Sequence, residues 1–218
     1  MKCKKLLLFV FFIFCSMLIY PTFVSASNVR ATPRLSTGYK WSAVPRTINF
    51  NYDGTDYTRN GSTDDEIAAI SAAMNTWNSV KHASTNSNLV TMKCTSVASV
   101  NTIEFAEAQF NYAGNTEPTL SDVDSSIIVS AKVLINIDRY WATDGSSPLS
   151  YDLQTILTHE LGHVLGVAHC HEENPYYSTE CVNPSTCSSN IMKPLISLNE
   201  VMHTLSAYDK ASYQLIYY

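Results

Sequence analysis

Between His159 and Cys170 the chain reads HELGHVLGVAHC, and no other stretch so restricts what the polypeptide around it can become. Half of the six histidines fall within it. On a helix, His159 and His163 stand one turn apart on a single face, so both imidazoles can reach a common point. Gly166 follows where the apolar helical pattern stops, and glycine adopts the left-handed conformation that reverses a chain with no steric penalty from a Cβ. A reversal there brings His169 back toward the same point. Three neutral imidazole nitrogens around one ion leave a fourth tetrahedral position for water, which is the layout of a catalytic zinc site rather than a structural one. Glu160 lies about 60° around an ideal helix from His163, beside such an ion rather than on it, where a carboxylate can take a proton from water and return it to a leaving amine. Each histidine alone reads as an ordinary buried or surface residue. The five fixed residues of HExxHxxGxxH together should arise by chance in about one chain in 10⁵. Two alternative ligands lie close by: His171, if the turn after Gly166 is longer, and a thiolate from Cys170.

The N-terminus is chemically unlike the rest. MKCKK is cationic, LLLFVFFIFCSMLIY is an unbroken apolar run, and Val24, Ser25 and Ala26 give a small-x-small cleavage pattern. Residues 1–26 are therefore expected to be a signal peptide, with Ser27 the first mature residue and a secreted, extracellular product. No second apolar segment of membrane length follows, so no stable membrane insertion is expected after cleavage. Lys2, Lys4 and Lys5 leave with the signal, taking the 14 basic residues to 11 against 19 acidic ones, a formal charge of −8. That balance argues against a nucleic-acid or anionic-membrane partner. Cys3 and Cys15 leave too, and the remaining Cys94, Cys170, Cys181 and Cys187 predict two disulfides with three pairings open.

After a short leader, 27–39, the chain reads as one domain, 40–218. KWSAVPRTINFNYD alternates through Ile48, Phe50 and Tyr52 as a half-buried strand. STDDEIAAISAAMNTWNSV predicts a helix, with Thr63 and Glu66 as a capping box and Ile67, Ile70, Met74 and Trp77 as its core stripe. NLVTMK, NTIEFAEA and SIIVSAKVLINI predict further strands beside it, the last broken by Lys132. YDLQTILTHELGH predicts the histidine-bearing helix, with Ser150 as N-cap. LSAYDKASYQLIYY predicts a C-terminal helix capped by Ser206 and Asp209. His82 and His203 read as surface or capping residues.

On these residues the chain resembles the metzincin zinc endopeptidases, and within them the matrixins. KWSAVPRTINF is similar to the opening strand of a matrixin catalytic domain, TDDEIAAISAAMNTWNSV to its first helix, and VLINIDRYW to the strand and turn before the active-site helix. The resemblance covers most of 40–218. It implies an α+β fold, with a twisted, mostly parallel sheet, an active-site helix and a C-terminal helix. It implies His159, His163 and His169 as ligands of one catalytic Zn²⁺, Glu160 as general base, and Met192 in SNIMKP as the methionine of a turn beneath the metal. Pro194 stands where other metzincin groups carry a tyrosine, which favours the matrixins. Pro194, Leu195 and Ile196 are expected to wall an apolar substrate pocket. The expected partner is an extended peptide or protein that adds to a sheet edge near 109–116 or near 127–131, and the enzyme is expected to be a monomer. The leader contains no cysteine to restrain the metal, and the absence of histidine between His82 and His159 speaks against a second zinc. Calcium at Asp122, Asp124, Asp138 or Asp144 stays open. The alternative function is a catalytically silent module of this fold that binds protein or cell-wall ligands; a structural protein with a zinc-supported loop fits three histidines poorly.

Overall fold

The β-branched and aromatic runs pair into one six-stranded sheet in the computed structural model, which describes residues 36–44, 46–59, 62–107, 112–144, 148–170 and 187–217. The expected signal peptide, most of the leader, His171 and Cys181 lie outside these residues. In chain order the elements are β1 (Lys40–Trp41), β2 (Arg46–Tyr52), α1 (Asp64–Asn78), β3 (Val90–Thr95), β4 (Asn101–Ala106), β5 (Gly114–Leu120), β6 (Ile127–Asn136), β7 (Trp141–Ala142), β8 (Tyr151–Asp152), α2 (Leu153–Val164) and α3 (Ala207–Ile216). The sheet runs β1-β6-β4-β2-β3, all parallel, and β5 joins β6 antiparallel. This is the mostly parallel α+β arrangement expected. β7 and β8 form a separate parallel pair ahead of α2.

Helix α1 packs Ile70, Met74 and Trp77 into the core, all essentially inaccessible. Ile67, expected in the same stripe, is 41 % exposed and turns to solvent. The expected capping box at Thr63 does not form, for Thr63 makes no side-chain cap bond. Glu66 instead turns inward, its Oε1 accepting from the main-chain N–H of Tyr57 (2.8 Å) and Thr58 (2.9 Å). A buried carboxylate needs donors, and the loop before the helix supplied nearer ones than the helix start. The Ser206 box on α3 forms as expected, with Ser206 and Asp209 bonding reciprocally.

Three further expectations need correction. The cap of α2 is Asp152, whose Oδ1 accepts from Thr155 N–H at 2.7 Å; the Ser150 carbonyl binds Asn199 N–H instead. Among the described residues one disulfide is formed, Cys170 to Cys187, and Cys94 stands unbridged and half-buried on β3. Lys132 does not break its strand. It points outward from an unbroken β6 and pairs with Glu104 on β4 at 3.3 Å.

β5 was anticipated only at its start, within the candidate edge at 109–116, and not as a strand running to Leu120. GNTEPTL is polar and contains Pro118, a residue that sheets tolerate at an edge, where no ladder bond needs its missing N–H. It pairs along β6 from Gly114 opposite Ile135 to Leu120 opposite Ile128. The 127–131 stretch is thus covered by β5 and is not the free edge; β5 itself is.

Candidate active site

Helix α2 carries His159, Glu160 and His163 through the middle of the molecule. Trp77 of α1 donates its indole N–H to the Thr158 carbonyl at 2.7 Å, locking the two helices together. Gly162 makes that approach workable: a Cβ there would fall on Met192 Sδ and within 2.8 Å of Trp77 Cζ2. At the helix end Gly166 has φ +84°, the left-handed turn expected of it, and its missing Cβ makes room for the Tyr39 carbonyl.

The turn brings His169 back as the spacing demanded. The three Nε2 atoms lie 3.0, 3.2 and 3.0 Å from one another. His159 Nδ1 meets the Ile191 carbonyl and His163 Nδ1 the Val167 carbonyl, each at 2.8 Å. A carbonyl can only accept, so both Nδ1 atoms carry the proton and both Nε2 atoms present lone pairs. Burial, and then the neighbouring His163 and His169, hold the His159 imidazole well below the ordinary histidine value, so it stays neutral. Convergent lone pairs repel unless a cation lies between them. A tetrahedral zinc with bonds of about 2.0–2.1 Å asks for nitrogens roughly 3.3 Å apart, close to the spacing found. The donor set fits the ion. Among the described residues this is the one group of three or more His, Cys, Asp or Glu side chains placed to hold a metal. Asp122, Asp124, Asp138 and Asp144 form no such group, so the opening left for calcium finds no support. Cys170 is bonded to Cys187 and is no ligand.

Glu160 is buried beside the histidines, and burial raises its carboxyl to a pKa of about 7 against the lowering effect of one hydrogen bond from Thr116. Thr116 Oγ1 stands 2.7 Å from Glu160 Oε2. Sequence reasoning missed this partner, which arrives from strand β5. It also read Asp209 only as a cap. Asp209 is fully buried and its carboxylate accepts from Ile191 N–H (3.1 Å), Met192 N–H (3.4 Å) and Ser206 N–H (2.9 Å), so α3 holds the turn under the site. Met192 is buried under Gly162, a polarizable floor and not a donor to the histidine nitrogens.

Beyond Met192, Pro194 is exposed, Leu195 is 76 % exposed and Ile196 is half-buried. The segment is tied back by the Lys193–Glu200 ion pair, by Met202 N–H to Thr155 Oγ1 (2.8 Å), and by His203 Nε2 to the Asp152 carboxylate (2.8 Å). His203, expected to be an ordinary surface or capping residue, thus reaches the cap of α2.

Comparison with family models matches residues 40–218 to the matrixin family. This chain belongs to the matrixins. Matrixins are a zinc metalloprotease family, in keeping with the histidine triad of this matrixin. Comparison with the curated proteins finds none that matches. Among the described residues no helix is long and apolar enough to cross a membrane.

Proposed function

We propose that this matrixin is an exported, zinc-dependent endopeptidase that hydrolyses peptide bonds of extracellular proteins. His159, His163 and His169 hold the ion, and Glu160 is the general base. The observation that carries this reading is the convergence of three imidazole Nε2 atoms beside a buried carboxyl group. A zinc ion bound there supplies Lewis acidity to the scissile carbonyl and to the attacking water. Glu160 takes one proton from that water as the new C–O bond forms. It then delivers the proton to the amine as the C–N bond breaks, and a pKa near neutrality suits both transfers. The intact Glu160 beside the three histidines supports a peptidase over a binding-only module.

The substrate strand has a place to lie. Ala131 N–H turns to Asn101 Oδ1, so the Ala131 main chain faces β4 and away from β5. Its partner Pro118 then faces away from β6, and by alternation so do Thr116 and Gly114. The outward N–H and C=O groups of Gly114 and Thr116, with the Pro118 carbonyl, can pair with an extended peptide beside Glu160. In this reading Ile196 lines the apolar pocket, and Pro194 and Leu195 form its rim.

Chelation is the direct test. Stripping the metal with a strong zinc chelator should abolish cleavage of a quenched-fluorescent peptide library, and added zinc should restore it. His169→Ala should bind no zinc at matched concentration. Cleavage that survives complete stripping would refute the reading.

A further inference from the structure

A glutamate can serve as a base only if its carboxylate is held in one place, and its side chain has three rotatable bonds to restrain. The two groups that hold Glu160 come from the edge strand, not from its own helix. On one side Gly114 leaves out a side chain: a Cβ there would lie 2.8 Å from Glu160 Cγ and from Oε1, so the carboxyl group rests directly against the β5 main chain. On the other, Thr116 Oγ1 lies 2.7 Å from Glu160 Oε2 and 3.0 Å from the Glu160 carbonyl oxygen.

We propose that Thr116 is a positioning residue for the reaction, its hydroxyl fixing the Glu160 carboxylate in line with a substrate strand that pairs with the same residue's main chain. The inference rests on Glu160 acting as the base. A hydroxyl suits the task because it has one proton to give and two lone pairs to offer. Toward the ionised carboxylate it donates to Oε2, a charge-assisted bond. Thr116 goes on donating to Oε2 while Glu160 carries the water's proton on a lone pair that Thr116 does not occupy, so that proton stays free to pass to the amine. The contact persists through both states without the carboxyl group moving. Because the Thr116 main chain lies on the outward edge of β5, seating a substrate strand and aligning the base act on one residue.

The test compares Thr116→Val, which keeps the shape and loses the hydroxyl, with Thr116→Ser, which keeps the hydroxyl and loses a methyl. With one cleavable quenched-fluorescent peptide, Thr116→Val should lower kcat by about 10- to 100-fold, the worth of a hydrogen bond to a charged group. KM should stay within about twofold, since ground-state binding is untouched. Zinc content should not change, and Thr116→Ser should recover most of the rate. A wild-type kcat in Thr116→Val, or equal damage from both variants, would overturn the proposal. Thermal unfolding of the purified chain gives a second readout, free of turnover. The Tm loss from Thr116→Val should shrink by at least half in a Glu160→Ala background, and equal losses in the two backgrounds would overturn the pairing. If the wild-type protein cleaves nothing, the peptidase reading falls, whereas the thermal cycle still decides whether Thr116 holds Glu160.

Discussion

Glu160 and His159 are adjacent, both buried, and perturbed in opposite directions. Burial raises the glutamate to a pKa of about 7 from 4.5 and drives the histidine well below 6.5, so each is pushed toward its neutral form. The consequences for stability differ in sign. Between pH 4.5 and 7 the unfolded chain releases the Glu160 proton while the folded chain keeps it, so this residue's contribution to stability falls as pH rises. His159 acts the other way, since below 6.5 the unfolded imidazole gains a proton that the folded one refuses, and stability is lost as pH falls. Glu160→Gln separates the two. Across that window metal-free wild-type protein should lose up to about 3 kcal/mol relative to the Gln variant, measured by urea unfolding in the presence of chelator. Parallel pH profiles for the two proteins would show that the carboxyl group is not desolvated. The convergence of His159 with His163 and His169 was legible in the sequence because i, i+4 spacing and a glycine turn are local geometry. Thr116 was not, since nothing local marks a threonine 44 positions away as a partner of Glu160.

Elements with a strong period were legible, and elements defined by their neighbours were not. α1, α2 and α3 follow from apolar spacing, and β2, β4 and β6 from β-branched and aromatic runs. β5 has neither signal. Its place comes from pairing with an already formed β6, and its polar residues fit because one edge is free. The Ser150 cap failed for a related reason: Asp152 lies two positions past it, and it won because its carboxylate also collects Thr155 Oγ1 (2.6 Å) and His203 (2.8 Å), which a serine could not. The disulfide belongs to this scale as well. Cys170 follows the last metal-site histidine, its N–H donates to the Met192 carbonyl at 2.8 Å, and its partner Cys187 sits just ahead of that methionine turn. The bridge joins the two segments that flank the site. Cys187→Ser should cost about 2–4 kcal/mol in urea unfolding, the usual range for a loop of this size. An unchanged midpoint would mean that the Met192 contact alone holds the segments.

At the scale of the whole molecule, the metal-binding turn is held by both ends of the described chain. Three successive carbonyls at the end of α2 are taken in order. Val164 accepts the Trp41 indole N–H at 3.0 Å, Leu165 the Tyr217 hydroxyl at 3.2 Å, and Gly166 the Thr37 N–H at 2.9 Å. Terminal carbonyls of a buried helix need donors, and here they come from more than 50 residues away in sequence in every case. Ser36, in the expected leader, is bridged to Val167. Such contacts are invisible to local pattern. Trp41→Phe keeps an aromatic ring but removes the indole N–H, orphaning the Val164 carbonyl and leaving a small cavity, so it should lower Tm by at least about 2–8 °C, corresponding to a loss of about 1–2 kcal/mol for the hydrogen bond alone, and weaken zinc binding. Unchanged Tm and zinc affinity would detach the N-terminal segment from the site. The account as a whole stands on three histidines holding zinc while Glu160 moves the proton, and one paired measurement reaches both halves: zinc per chain and peptide-cleavage rate for the wild-type protein and Glu160→Gln. The account predicts one zinc in each protein and a rate lower by about 10²- to 10⁴-fold in the variant. Equal rates in the two proteins, or no zinc in the wild type, would contradict it.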